Sequence, residues 1–458
     1  MENVKNLQEE RKQLFNDFYN NRIPKRMPIQ IQVPHTIMGA VGKISPFEYQ
    51  YHFDLLKDAA DKICLSLNSD TCPIIGVGHN ARVPAYYQFL ASNNFQMGAN
   101  GQMQHPEVSG MTADEYGALI ADPYAFMLET AIPRHYGSLA LDKPVERTLA
   151  LKAAQSAVQR LTGQMGQTLR HLTEKYGYYP GAPLGSGGFV AAPFDFLSDQ
   201  LRGFNGISMD LRRHKSQIKE ACEALLPLMY RFALPPNPHP EGFIGNPLHM
   251  PPFMRPKDVE ELWFPTYKTL LEQLAARGAR VRAFCEGDWT RYLDLLRELP
   301  AGTMLAFEYG DPKLFKEKLG DKFILVGFYP LALLKTGTPQ QCIDKAKELL
   351  DIMLPGGGYL FNFDKAPMAA EDMNLDNLYA LTDFLRDYAV YDNAGDSYGM
   401  ALNTENYRPD PSVEAFDSKY AFDWDRHQRI YPLTPEDARP FLETTYNQSF
   451  RDNILLLV

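Results

Sequence analysis

Two hydrophobic periods alternate along this chain. Residues 5–22 carry apolar side chains at helical spacing, and Pro24 ends that pattern. Residues 27–33 instead alternate between apolar and polar side chains, which predicts a strand that ends at Pro34. A second strand is predicted near 72–77, and residues 80–112 are rich in Gln, Asn and Met, which indicates a long insertion. Helices are predicted around 46–63, over 113–130 and over 146–176.

From residue 178 onwards, strand and helix patterns follow each other regularly. A glycine-rich strand end at 183–190 precedes helical patterns at 194–202 and 209–232. The later strands, each with its following helix, are predicted at 242–249 with 257–277, 280–285 with 290–299, 304–308 with 312–319, 323–328 with 338–353, and 358–363 with 374–389. About eight strands alternating with helices predict an α/β fold of the (β/α)8 TIM-barrel type.

This pattern divides the chain into three parts. Residues 1–24 form an N-terminal helical extension, and residues 25–392 form the predicted barrel. Residues 393–458 form a C-terminal extension rich in aromatic and charged side chains, which we expect to pack on the barrel or on a dimer mate.

Composition narrows the class of protein. Among 458 residues, 45% are hydrophobic and 22% are charged, which is ordinary for a soluble globular protein. The sequence contains neither a long apolar run nor the apolar core of a signal peptide. Five scattered cysteines indicate reduced thiols, so we expect a cytoplasmic protein. A net charge of −10 disfavours a nucleic-acid partner.

The densest group of reactive side chains follows the predicted strand at 280–285. Cys285, Glu286 and Asp288 stand at a strand-to-helix turn, where barrel enzymes carry their chemistry. Further polar side chains follow other predicted strands, and all would meet at one end of a barrel: His35, His249, Glu308, Asp311 and Asp364. A structural role is the alternative in each case. Asp288 and Asp311 each precede a helix and could cap it, Glu308 could form a salt bridge, and His249 and Cys285 could be buried structural residues.

Two chemical devices fit these residues. Clustered carboxylates raise one another's pKa, so one of Glu286, Asp288 and Asp311 could act as a general acid. Alternatively, a divalent metal such as zinc could act as a Lewis acid, with the ligands His249, Cys285 and Glu308. Side chains near the strand ends could bind a flat substrate, although aromatic residues more often pack in a core: His35, Phe284, Trp289, Tyr309 and Phe328.

Several motifs resemble the uroporphyrinogen decarboxylase superfamily, in particular its corrinoid-dependent methyltransferase branch. They occur in family order over about 200 residues: PFDFLSDQLRGF (193–204) with MDL (209–211), PLHM (247–250), CEGD (285–288), GDK (320–322), TGTP (336–339) and GGGY (356–359). The resemblance implies a TIM barrel that handles a methyl group together with a cobalamin-bearing corrinoid protein.

Departures from the family motifs narrow the reaction. Porphyrin decarboxylases carry an arginine-rich motif after the first strand, but residues 33–39 contain no arginine here. Members that methylate thiols bind zinc through His-x-Cys and a second cysteine, whereas this chain has Ala283 at the histidine position and no cysteine beyond Cys342. A carboxylate-rich mouth instead suits the activation of an ether oxygen as a leaving group.

The sequence therefore predicts a methyltransferase that moves a methyl group from an aromatic methyl ether to the cob(I)alamin of a corrinoid protein. No Gly-x-Ser-x-Gly nucleophile motif is present. The alternatives are transfer from a methylcorrinoid to a thiol or pterin, and a non-catalytic barrel that binds a corrinoid or tetrapyrrole as an accessory module.

Overall fold

A parallel β-sheet organises the structure, which is a computed structural model that describes residues 2–74 and 83–457. The six strands are hydrogen-bonded in chain order, β1 to β6. Their bounds are Gly188–Phe189, Phe243–Leu248, Arg280–Cys285, Met304–Phe307, Ile324–Tyr329 and Tyr359–Phe363. The predicted α/β class is confirmed, and so are the five predicted strands from 242 onwards. The strand predicted at 183–190 is shorter, because the preceding Gly185 has a φ of 76° that breaks extended backbone.

Helices separate the strands along the chain. The described helices of eight or more α-helical residues are α1 (Glu2–Tyr19), α2 (His35–Gly42), α3 (Lys57–Ser66), α4 (Pro144–Tyr176), α5 (Gly203–Arg213), α6 (Lys215–Ala233), α7 (Phe264–Ala276), α8 (Pro312–Leu319), α9 (Pro339–Met353), α10 (Leu375–Tyr388) and α11 (Arg439–Ile454). Shorter helices include Pro84–Phe89, Tyr116–Ala121, Pro193–Phe196, Leu331–Thr336 and Trp424–Ile430.

Some predicted helices are interrupted. The helix predicted at 113–130 is divided at Asp122, whose side chain accepts a hydrogen bond from the backbone N–H of Ala125. Asp122 thereby begins a new helix at Pro123, which has no N–H to continue the preceding one. The helix predicted at 290–299 is reduced to a 3-10 turn, Thr290–Tyr292, and the single turn Leu293–Leu296.

The strand predicted at 27–33 is an extended, buried segment that makes only isolated pairings. Met27, Ile29, Ile31 and Val33 are at most 2% exposed, which confirms the predicted alternation of buried side chains. Val33 forms a parallel bridge with Ile74. Thr71, three residues before Ile74, forms another parallel bridge with Tyr179. The remainder of the strand predicted at 72–77 lies outside the described residues.

The two faces of the sheet pack differently. On β3, Val281, Ala283 and Cys285 belong to the large core shared with the surrounding helices. Phe284 points the other way and packs against a smaller core, because successive side chains of a strand face opposite sides. This smaller core joins the inner faces of β4, β5 and β6 to the buried aromatic residues of α1. We call the side of the sheet on which Phe284 and the smaller core lie the inner face.

The C-terminal extension packs on the same body as the sheet. The Tyr136 hydroxyl donates to the carbonyl of Leu456 at 2.6 Å, and the Asn453 amide donates to the Tyr124 hydroxyl at 2.9 Å. Tyr398 is 4% exposed and adds its ring to the small core. None of the described helices combines the length and apolar character needed to cross a membrane.

Candidate active site

His249 lies directly after β2 and contacts two carboxylates. Its Nδ1 is 2.7 Å from Oδ2 of Asp199, and its Nε2 is 3.1 Å from Oε2 of Glu286. The His249 side chain remains 38% exposed, and that of Glu286 is 52% exposed. We call these three residues the acid–imidazole chain. It crosses from the end of β2 to the end of β3 and is reached by solvent at the Glu286 end.

Hydrogen bonding determines the charge state of His249 in the acid–imidazole chain. Burial lowers the pKa of His249, but the hydrogen bonds to Asp199 and Glu286 outweigh that effect and raise the pKa to about 11. The same contact with His249 lowers the pKa of Glu286. At neutral pH, His249 is therefore an imidazolium that can donate a proton from either ring nitrogen.

Asp195 is a buried carboxylate that contacts the backbone of His249, the central residue of the acid–imidazole chain. It is 1% exposed and accepts hydrogen bonds from the backbone N–H of His249 at 3.1 Å and from Nε1 of Trp263 at 2.9 Å. Burial, followed by the nearby charge of Asp199, raises the pKa of Asp195 to about 7. Asp195 thus fixes the backbone that carries His249.

Two π-helical segments bring these side chains together. Asp195 lies in the short helix Pro193–Phe196, which continues as a π-helix, Leu197–Arg202, that carries Asp199. Trp263 ends a second π-helix, Val259–Trp263. Widened turns of this kind are frequent at functional sites. Part of the predicted insertion packs against the end of the first π-helix, where the backbone N–H of Met111 donates to the carbonyl of Leu201 at 2.8 Å.

The three predicted catalytic carboxylates differ in their hydrogen-bond partners. Of these three, only Glu286 joins the acid–imidazole chain, whereas the other two accept hydrogen bonds from nearby backbone N–H groups. Asp288 accepts a hydrogen bond from the backbone N–H of Thr290 at 2.9 Å, and hydrogen bonds from the side chain and then the backbone of Thr290 lower its pKa. Asp311 is the N-cap of α8 and accepts from the N–H of Lys313 at 3.0 Å. Asp311 therefore corresponds to the capping alternative, whereas Asp288 is bonded within the turn before the 3-10 helix Thr290–Tyr292, whose N-cap is Trp289.

The three proposed metal ligands do not meet. Cys285 is fully buried on the helix-facing side of β3, where burial raises the pKa of its thiol well above the usual value. Both ring nitrogens of His249 face carboxylates, and Glu308 accepts from the N–H of Gly287 at 2.9 Å while pairing with Lys365 at 3.4 Å. Among the described residues, no group of three or more His, Cys, Asp and Glu side chains is arranged to hold a metal ion.

Three of the predicted aromatic contacts are explained by packing. Trp289 is fully buried and packs edge-on against Trp263, with ring centroids 5.7 Å apart. Phe328 is 9% exposed, and its ring lies 5.6 Å from that of Phe307. The His35 ring packs 4.9 Å from the ring of Phe53.

The two remaining predicted residues retain exposed surface, as the partly exposed His35 also does. Phe284 is partly exposed on the inner face of β3, two residues before Glu286. Tyr309 is 51% exposed, and the ammonium of Lys365 lies 5.9 Å from its ring centre.

An exposed aromatic pair near the acid–imidazole chain was not predicted from the sequence. Phe204 and Phe253 are 47% and 69% exposed, and their rings meet edge-on at 5.4 Å. Phe253 follows Pro252, which lies beside Gly287 at the turn after β3. Both positions could have been found in the sequence, because Phe204 is the last residue of the motif that carries Asp199 and Phe253 lies three residues beyond the motif that carries His249.

The raised pKa of Asp195 predicts a pH effect on stability. In the unfolded chain Asp195 ionises near its ordinary pKa of 3.8, whereas in the folded protein it does so near 7. The folded state therefore binds the extra proton, and this group's contribution to the free energy of unfolding is lost as the pH rises through 7. Between pH 5 and pH 8 the loss should be roughly 3 kcal/mol.

Asp195→Asn removes this titration. Urea unfolding at pH 5 and pH 8 should show a larger decrease for the wild-type protein than for the variant. Equal decreases would contradict the assignment of a raised pKa to Asp195.

Comparison with known proteins identifies a solved structure with a similar fold. No known family model matches the chain, and no curated protein sequence matches it. Among solved structures, the chain is similar to a methyltransferase from Methanosarcina mazei at 15% sequence identity and a TM-score of 0.52. The match covers 82% of this chain and 98% of the other. The likeness over nearly the whole of that methyltransferase shows that the two chains share their overall fold.

Proposed function

We propose that the protein is a methyltransferase that takes the methyl group of an aromatic methyl ether and passes it to the cob(I)alamin of a corrinoid protein. The observation that carries the proposal is the contact of the His249 ring, at the end of β2, with Asp199 on the π-helix and with Glu286 at the end of the adjacent strand β3. The fold shared with a methyltransferase supports the reaction class, and the superfamily motifs support the corrinoid acceptor.

The chemistry requires a proton donor beside the ether oxygen. The reduced corrinoid supplies the electron pair that bonds to the methyl carbon, and the C–O bonding pair remains on the oxygen. His249 donates its Nε2 proton to that oxygen, so that a neutral phenol leaves. A phenol has a pKa near 10, so an imidazolium of similar pKa can protonate a phenolate without a large barrier.

In this scheme, Glu286 controls when the Nε2 proton of His249 can be transferred. Its side chain is more exposed than that of His249, so an entering ether oxygen can take its place at Nε2. Loss of the Glu286 hydrogen bond removes one of the contacts that raise the pKa of His249. The imidazolium therefore becomes a stronger acid when the substrate binds, while Asp199 keeps the ring oriented.

The fold proposed for this function is a closed (β/α)8 barrel. The parallel bridges at Val33 and Thr71 extend the parallel pairing beyond the six strands to earlier segments of the chain. Closure would place the acid–imidazole chain at the carboxyl end of the barrel, where a cytoplasmic corrinoid protein would deliver its cofactor. The exposed rings of Phe204 and Phe253 would flank the methoxyarene there.

Zinc does not fit the residues present. The Cys285 thiol lies on the opposite side of β3 from Glu286, and both nitrogens of His249 are engaged by carboxylates. No step of the proposed reaction therefore passes through a metal ion. Methyl transfer to a thiol is less well supported for the same reason, since thiol activation favours a site with sulfur and nitrogen ligands.

Cys285→Ala tests this placement. The variant should bind as much metal as the wild-type protein and retain methyl-transfer activity within about twofold, while the small cavity should lower the free energy of unfolding by about 1–2 kcal/mol. Metal analysis, activity assay and urea unfolding measure the three quantities. Joint loss of a stoichiometric metal ion and of activity would make Cys285 a ligand and contradict the account.

The function is tested with free cob(I)alamin and a panel of methyl donors. Guaiacol and 4-methoxybenzoate should each yield a methylated corrinoid, seen in the visible spectrum, together with the free phenol. Methylamine should yield neither product. Absence of methyl transfer from every aromatic ether would contradict the proposal.

A further inference from the structure

Arg282 is a cation inside the sheet with no described counter-ion. It lies on the inner face of β3, between residues 281 and 283, which face the helices. None of the described residues accepts a hydrogen bond from its guanidinium or forms an ion pair with it. By contrast, the guanidinium groups of Arg26 and Arg202 are paired with Asp70 and Asp210, respectively, at 2.6 Å.

Solvent reaches the inner face of the sheet at this point. Gly245 and Pro247 on β2, and Arg282 and Phe284 on β3, are all partly exposed. We call these four residues the inner strip. The neighbouring strands β4 and β5 are buried along their whole length, and the aromatic side chains of α1 close the small core below. The strip is therefore an accessible path along β2 and β3.

Arg280 adds positive charge at the base of the strip. Its side chain is 6% exposed and donates from Nη1 to the carbonyl of Tyr19 at 3.0 Å, while Nε and Nη2 have no hydrogen-bond partner. The carboxylate of Glu241 acts on Arg280 through its field, but it also accepts a hydrogen bond from the Tyr179 hydroxyl. Two guanidinium groups thus share one region of the inner face without a described ion pair.

We propose that Arg282 forms an anion-binding subsite that holds a carboxylate of the substrate. A guanidinium that the sheet partly removes from water and that has no described partner carries a desolvation cost, and a carboxylate bound through two parallel hydrogen bonds would offset that cost. The inferred substrate class is therefore an aromatic methyl ether that also carries a carboxylate. This inference rests on the proposed function for the position of the ether oxygen.

The spacing along β3 fits such a molecule. Inward-facing side chains of one strand recur about every 7 Å, so Arg282 and Glu286, two such steps apart, are separated by about 13 Å along the strand direction. A para-disubstituted benzene ring has about 7 Å between its outer oxygen atoms, and a hydrogen bond of about 3 Å at each end makes up the rest of that distance. A ring beside Phe284 would direct one substituent towards Glu286 and His249 and the other towards Arg282. Gly245 leaves room opposite, since a Cβ added there would approach other atoms no closer than 3.7 Å.

Calorimetric titration with matched ligands tests the subsite without requiring methyl transfer. The ligands are 4-methoxybenzoate and its neutral isostere, 4-methoxybenzamide. The wild-type protein should bind the carboxylate about tenfold to a hundredfold more tightly, the range that charge-assisted hydrogen bonds supply. Arg282→Gln should abolish this preference, and Arg282→Lys should retain part of it.

Arg297→Gln is the control variant, because Arg297 is 41% exposed and pairs with Asp321 outside the strip. It should keep the full preference, and thermal unfolding should verify that each variant is folded. Equal binding of the two ligands by the wild-type protein, no binding of either, or an unchanged preference in Arg282→Gln would overturn the inference. Preferential binding without methyl transfer to cob(I)alamin would support the subsite and contradict the proposed function instead.

Discussion

Replacing His249 by Gln is expected to lower the rate of methyl transfer from an aromatic ether by about 10²–10⁴-fold, the usual contribution of a general acid. Gln preserves much of the polar volume but cannot carry the proton that the imidazolium holds between Asp199 and Glu286. The rate of formation of the methylated corrinoid measures the effect. The donor's affinity should change much less, because the proton transfer matters mainly in the transition state.

A matched variant separates this role from a general effect of losing a histidine. His171 is exposed on α4, so His171→Gln should leave the rate unchanged. If His249→Gln slowed the reaction no more than His171→Gln did, His249 would not be the proton donor.

Replacing Asp70 by Ala is expected to lower the free energy of unfolding by about 3–5 kcal/mol, the loss typical of breaking a buried ion pair from one side. The Asp70 side chain is 3% exposed and pairs with Arg26 at 2.6 Å and with Arg11 at 3.3 Å. It also accepts from the backbone N–H of Ile29 at 2.8 Å. The variant therefore leaves two poorly solvated cations and releases the extended segment at 27–33.

Urea unfolding of Asp70→Ala and of Asp321→Ala provides the comparison. Asp321 is 50% exposed and pairs with Arg297 at the surface, so its removal should change the free energy of unfolding by no more than about 1 kcal/mol. Equal effects of the two variants would show that the Asp70 cluster does not hold α1 and the extended segment in place.

The strands were predictable because burial follows local pattern. On β2, every second side chain from Ile244 to Leu248 is buried, as the alternation requires. The strands β4 and β5 are buried on both faces, which matches their continuous apolar runs. The segment at 27–33 shows the same alternation but pairs only at isolated points, since a pattern of burial does not determine which backbone lies alongside.

The site was predicted only in part, for identifiable reasons. Asp288 and Asp311 have the sequence context of both a cap and a catalytic acid, but only Asp311 caps its helix. Asp288 accepts a hydrogen bond within the turn that precedes the next helix. The period of two along β3 places Cys285 opposite Phe284 and Glu286, so its separation from the carboxylates was available from the sequence.

Asp195 and Asp199 could not be assigned in the same way. Asp199 has the pattern of a structural helical residue, and its contact with His249 joins a π-helical turn to the residue after β2, 50 positions later in the sequence. Long-range contacts of this kind leave no local signal. The two acidic residues four positions apart in PFDFLSDQ were the only available hint.

A single-turnover reaction with 4-methoxybenzoate labelled at its O-methyl carbon tests the central claim most directly. The protein is mixed with free cob(I)alamin, and the label is followed by carbon-13 NMR. The account predicts that each molecule of 4-hydroxybenzoate released is matched by one labelled methyl group on the corrinoid. Release of the phenol without label on the corrinoid, or no reaction at all, would contradict it.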